Sequence, residues 1–153
     1  MIWKTKQTRD LMLVALIPAA LSGEHAKADE PAAVQEVAMS MTAHFMAGNI
    51  ENVLSAYEPD AVVVFEPGAP ASGKETLRAA FTQFAAANPA FTFGGHQVVM
   101  AGDIAVHIAP WDMTGTLPDG QVISDSGLSV AVMRRQSDGS WKMVIDNPYG
   151  DRF

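Results

Sequence analysis

RRQSDGSWKMVIDNPYG, Arg134 to Gly150, carries the reading of the whole chain. Ser137-Asp138-Gly139 is a reversal signal, because aspartate and glycine accept the backbone angles that join two antiparallel strands. The run that follows alternates as a strand does, with Trp141, Met143 and Ile145 on one face and Lys142, Val144 and Asp146 on the other. It then finishes in a carboxylate, an amide and a phenol: Asp146, Asn147 and Tyr149 around Pro148. Proline has no amide donor, so strand pairing stops there and the last polar groups turn away. Such an end is either a frayed, solvated terminus or the floor of a pocket.

Working outward, two more turn signals stand upstream, Gly102-Asp103 and Pro118-Asp119-Gly120. They divide the second half into four strand-like segments, about 91–101, 104–117, 121–135 and 140–147. These are longer than the usual strand and are therefore expected to be bent or bulged, with Ser124-Asp125-Ser126-Gly127 the clearest candidate for a bulge. The first half has helical spacing instead. From Pro31, the residues Val34, Val37, Ala38, Met41 and Phe45 form one apolar stripe that Gly48 stops. Asn49 is placed to cap a second short helix reaching Tyr57, with Val53, Leu54 and Tyr57 inward and Pro59-Asp60 ending it. Ala61 to Pro67 is a β-branched strand, and the Pro- and Gly-rich stretch after it reads as a loop. Ser72 with Glu75 forms a capping box for a third helix, whose Leu77, Phe81, Phe84 and Ala85 face inward until Asn88-Pro89. Helices first and an antiparallel meander after make an α+β domain with helices on one sheet face.

Composition bounds what such a domain can do. The chain of 153 residues is long enough for one core, and its 48% hydrophobic content is that of a globular protein. A formal charge of −7 with no basic stripe argues against nucleic acid as a partner. The absence of cysteine excludes disulfides, thiolate nucleophiles and Cys-based zinc sites. Residues 1–28 differ from the rest: Lys4, Lys6 and Arg9 precede the apolar run Leu11 to Leu21, and Ala26-Lys27-Ala28 fits an A-x-A cleavage site. Those parts read as a secretory signal, with an uncleaved anchor as the alternative, leaving a domain at 29–153 in the periplasm or outside the cell. After cleavage no segment remains for membrane attachment.

The stretches Ala47 to Gly68, Ser72 to Phe81 and Arg134 to Gly150 together resemble the NTF2-like superfamily, within it the SnoaL-like (DUF4440) group related to ketosteroid isomerase. The resemblance spans about residues 33–150 and implies a cone-shaped roll, with three N-terminal helices packed on a strongly curved, mainly antiparallel sheet. It also implies a cavity inside the cone, a homodimer through the outer sheet face, and no cofactor. Two functions follow as expectations: binding of a small, largely apolar or carbonyl-containing ligand, or cofactor-free isomerase or lyase chemistry by acids and bases. Steroid isomerisation itself is disfavoured, because the family's oxyanion tyrosine falls at Met41 and its protonated aspartate near Ala131, neither of which donates a hydrogen bond.

Candidate acid–base groups are Glu66, at the family's Asp-Pro base position, Asp125, unusual in mid-strand, and Asp146. Tyr57, Phe65, Trp111, Met113, Asn147 and Tyr149 are the candidate ligand contacts. His107, Trp111 and Met113 share one strand face, which is either the cavity wall or the dimer surface. The cluster Met39, Met41, His44 and Met46 has soft-metal ligand types, but helical geometry splits it between two faces, so core packing accounts for it. His96 and His107 lack partners at a ligand spacing, and no phosphate loop, dinucleotide fingerprint or nucleophile elbow occurs, so no metal or cofactor is expected.

Overall fold

The computed structural model describes residues 22–152. The basic and apolar parts of the expected signal, residues 1–21, lie outside the described residues. Three helices and seven strands follow in the order α1 (Ser22–Met46), α2 (Ile50–Ser55), β1 (Tyr57–Glu66), β2 (Ala69–Ser72), α3 (Lys74–Ala85), β3 (Ala90–Phe93), β4 (Gln97–Ala101), β5 (Ile104–Thr116), β6 (Val122–Arg135) and β7 (Trp141–Asn147). The strands form one sheet in the order β2-β1-β7-β6-β5-β3, with β4 also paired to β5. Every pairing is antiparallel except β1 with β7. The helices pack on one face of this curved, unclosed sheet, as the α+β reading anticipates.

The helical stripes bury as their spacing predicts. Val34, Ala38 and Phe45 of α1, Val53 and Leu54 of α2, and Leu77 and Phe81 of α3 meet Ala61 and Val63 of β1, Ala105 of β5, Ala131 and Met133 of β6, and Trp141 and Met143 of β7. Removing a side chain such as Leu77 from water contributes roughly 1.5–3 kcal/mol by its apolar area. Phe45 stands edge-on to both Phe81 and Phe84, at centroid separations of 5.5 and 5.3 Å, which locks α1 to α3.

Several local expectations are corrected. Helix α1 runs through Pro31 to Ser22 rather than starting at the proline. Helix α2 ends at Ser55, so Tyr57 opens β1, and Asn49 makes no side-chain cap. The stretch expected as a loop contains β2, an edge strand on which Pro70 is tolerated because only one side of it is paired. Ser72 belongs to that strand, and Gly73, at φ 88°, occupies the helix entry without a side-chain cap. A left-handed entry residue takes the place of the capping box. The first meander segment is two strands, β3 and β4, which Gly94-Gly95 separates.

The bulges are also elsewhere than expected. Strand β6 keeps an unbroken register with β5 through Asp125 and Gly127. The irregularity is in β7, where Met133 pairs with Met143 but Val132 pairs with Ile145. Val144 is the extra residue, so two successive residues pass on the outer side and the alternation resumes one step late. Trp141 and Met143 are buried, Ile145 is exposed, and Asp146 is buried again. Asp146 therefore shares the inner face with Trp141, contrary to strict two-residue alternation.

Candidate functional site

The bulge delivers Asp146 into a cavity of about 80 Å³ between the helices and the inner sheet face. Met41, Thr42 and Phe45 of α1, Phe81 and Phe84 of α3, Val63, Val64 and Phe65 of β1, Phe91 of β3, Trp111 of β5, and Pro148 and Tyr149 after β7 complete its wall. The lining is mostly aromatic and aliphatic, with Asp146 its sole ionisable carboxyl among the described residues. At Thr42 the hydroxyl is spent locally, donating to the Ala38 carbonyl at 3.0 Å.

Asp146 is 6% exposed and accepts a hydrogen bond at Oδ2 from the Tyr57 hydroxyl, at 2.6 Å. Tyr57 sits at the start of β1, where Ala56 already accepts the Met143 amide and so sets that corner beside β7. Burial raises the Asp146 carboxyl above the usual carboxylate range, and the Tyr57 donor only partly offsets this. Burial, the Asp146 charge and the same hydrogen bond push the Tyr57 hydroxyl well above its ordinary value. The pair is thus a carboxyl disposed to hold a proton beside a phenol that will not give its proton up. Among the described residues no other protein donor reaches Asp146.

Behind Tyr149 the chain folds back over β6. The Gly150 amide donates to the Leu128 carbonyl at 2.9 Å, and a β-carbon at Gly150 would meet Val130 Cγ2 at 2.5 Å. The Trp111 indole donates to the Pro148 carbonyl at 2.8 Å. The Arg152 guanidinium lies 4.5 Å from the Tyr149 ring centre, 3.4 Å from the Asp125 carboxylate, and donates to the Ser126 carbonyl. Gly127 is required beneath this crossing, since a β-carbon there would lie 2.9 Å from the Pro148 carbonyl oxygen and 3.0 Å from Trp111. That close approach, not a bulge, explains the glycine after Asp125-Ser126. The tail therefore closes one end of the cavity rather than fraying.

Of the sequence-selected residues, Asp146, Phe65, Trp111 and Tyr149 come together around the cavity, and Tyr57 joins through Asp146. Glu66 does not enter it. Exposed at the end of β1, it lines an outer groove of about 400 Å³ that shares Phe65, Phe84 and Tyr149 with the inner cavity. Asp125 pairs with Arg152 on the tail, and Met113 lies beside Asp125 in a shallow groove apart from the cavity. Asn147 accepts the Tyr149 amide at 3.1 Å and shapes the turn at Pro148. Met41, Phe45, Phe81 and Phe84 showed in the sequence as inward helix positions; that they border a cavity depends on how far the helices stand from the sheet. His96 and His107, on and beside the β4–β5 hairpin, meet at 3.0 Å between Nδ1 and Nε2. His107 is buried, its other ring nitrogen has no partner, and desolvation with the His96 charge holds it down at about 4. Among the described residues no group of three or more His, Asp or Glu side chains is arranged to hold a metal ion.

The SnoaL-like domain profile matches residues 37–143. No curated protein matches the sequence. Solved structures with similar coordinates include a ketosteroid isomerase-like protein from Erwinia carotovora atroseptica, 21% identical, with a TM-score of 0.67 over 78% of this chain and 94% of that one. An NTF2-like protein with a cystatin-like fold from Novosphingobium aromaticivorans is 18% identical, with a TM-score of 0.68 over 83% and 85%. A candidate dehydratase of the NTF2-like family from Streptomyces avermitilis is 18% identical, with a TM-score of 0.69 over 79% and 95%. At these identities the likeness speaks for the fold alone. The matched profile covers most of the chain, from the middle of α1 to β7, and the chain belongs to the SnoaL-like domain family, with an NTF2-like fold.

Proposed function

We propose that this protein binds a small, largely apolar molecule bearing one hydroxyl or carbonyl group, with the Asp146 carboxyl as its polar anchor. The observation that carries the reading is a single buried carboxyl, hydrogen-bonded from behind by Tyr57, in a chamber otherwise walled by aromatic and aliphatic side chains. Ligand sites commonly have this make-up, an apolar enclosure with few polar groups that fix orientation. The volume of about 80 Å³ favours a group no larger than a single ring. In this reading the protein acts as a secreted or periplasmic homodimer. The dimer would form through the outer sheet face, where Val99, Val106, Val132, Ile145 and Val62 stand in register across five adjacent strands.

Titration with 4-methylphenol, followed by calorimetry and by intrinsic tryptophan fluorescence, to which Trp111 contributes, tests this. Saturable binding is expected, weakened about ten-fold by Asp146→Ala, the scale of one hydrogen bond to an ionisable group. No binding by the wild-type chain sinks the reading.

The Tyr57–Asp146 pair also favours a second reading, cofactor-free proton transfer in an isomerase or lyase. A carboxyl with a raised pKa facing an apolar chamber suits protonation and deprotonation beside a carbonyl. Glu66 and Asp125 lie outside that chamber, so Asp146 would act there alone. Asp146-dependent deuterium exchange next to the carbonyl of 4-methylcyclohexanone would distinguish catalysis from binding.

A further inference from the structure

The inner cavity and the outer groove are separated by three rings, Phe65, Phe84 and Tyr149, each belonging to both linings. Two of these are carried on regular elements, β1 and α3. Tyr149 is different. It sits on the tail after Pro148, and its ring is held by Trp111 on one side, at 5.9 Å between centres, and by the Arg152 guanidinium. Arg152 is in turn retained by Asp125 and the Ser126 carbonyl, contacts that are partly exposed to solvent. Exposed ion pairs of this kind contribute little to stability, so the Tyr149 side of the partition is its weakest part. The outer groove beyond it is itself apolar, with Ala80, Ala87, Leu117 and Ile123. Glu66 is the one charged side chain lining it among the described residues.

We infer that the two chambers form one elongated site for an amphiphile. Its ring and hydroxyl occupy the inner cavity against Asp146, its apolar chain passes Tyr149 into the outer groove, and its far end, neutral or cationic, meets Glu66. This rests on the proposed binding function and adds a ligand class to it: the site discriminates against a far-end anion. Tyr149 is the partition that moves aside, and Asp125 with Arg152 is the latch that returns it. Asp125 has a use here that requires no acid–base chemistry.

Four probes separate the claims: 4-methylphenol, 4-hexylphenol, 4-(6-aminohexyl)phenol and 6-(4-hydroxyphenyl)hexanoate, titrated calorimetrically into the full-length chain at low ionic strength. The hexyl chain should tighten binding by at least about ten-fold over 4-methylphenol, since several methylenes leave water. The amine should bind about ten-fold tighter than the carboxylate, with salt narrowing the gap. Glu66→Gln should abolish that preference, bringing the amine and the carboxylate to within about two-fold of each other. Tyr149→Ala should speed association of 4-hexylphenol without changing that of 4-methylphenol to the same degree. Equal affinity of 4-hexylphenol and 4-methylphenol would overturn the elongated site while leaving the inner-cavity reading standing. An amine preference that survives Glu66→Gln would overturn the role of Glu66. Failure of 4-methylphenol as well would remove the binding function itself.

Discussion

Tyr57→Phe removes one oxygen atom and leaves the ring packed against Phe81, 5.7 Å away between centres. What is lost is the 2.6 Å donor to a carboxyl that is 6% exposed. Against an ionised acceptor a hydrogen bond is worth about 1.5–3 kcal/mol, and a neutral pair about 1 kcal/mol. The Asp146 carboxyl already titrates above its unfolded range because burial disfavours its charge, and removing the donor that partly offsets burial raises it further. The sign follows. A carboxyl whose folded pKa is raised makes the protein less stable as pH climbs from the unfolded range near 4 through the folded value, and more stable as pH falls. Tyr57→Phe should therefore cost about 2 kcal/mol at a pH high enough to ionise Asp146, roughly 8 °C in Tm for a domain of this size, and only about 1 kcal/mol at a pH low enough to protonate it. Replacing Asp146 by Leu in the same background should recover most of the loss, because the orphaned acceptor is gone and the adjacent cavity accommodates the added methyl groups. Urea unfolding of wild type, both single variants and the double variant, at both pH values, measures the cycle. A cost independent of pH, or a double variant as damaged as the two singles added together, would refute a functional coupling between these side chains.

Two further outcomes follow from other parts of the fold. His107, buried and held down at about 4, stays neutral while the unfolded chain takes up a proton near 6.5, so stability should fall as pH drops from about 6.5 to 4, by at most about 3 kcal/mol. His96 is the titratable neighbour, and nitrogen-15 NMR of the His107 ring titrating near 6.5 would contradict the buried pair. Ile145→Asp places a charge in the middle of the outer apolar row and should convert the proposed dimer to a folded monomer, read by light scattering with unchanged circular dichroism.

Part of the cavity is legible in the sequence. Two-residue alternation puts Trp111 on one face with His107, and that face is the inner one, because β5 keeps an unbroken alternation over its whole length. Phe45, Phe81 and Phe84 were legible as core for the same kind of reason, helical spacing. Asp146 was not: its face depends on Val144 being looped out, and nothing in Lys142 to Asp146 distinguishes that residue from its neighbours. The bulge arises where β7 pairs with β1 on one side and β6 on the other, and both partners are distant in sequence. Tyr57 and Asp146 are likewise 89 residues apart, and only the parallel β1–β7 pairing brings phenol and carboxyl together.

Local preference and composition specify the three helices, their inward stripes, the turn at Asp138-Gly139 and the exclusion of cysteine chemistry, whereas the edge strand β2 and the separation of β3 from β4 do not follow from them. Tertiary structure alone decided which polar groups at the end of the last strand became interior. Asp146 was turned inward by one extra residue, Asn147 was spent on the turn, and Tyr149 was pinned across the mouth by Trp111 and Arg152. Local sequence specifies that a strand ends in polar groups. Which of them leaves water depends on register against two partners and on a tail that closes over them.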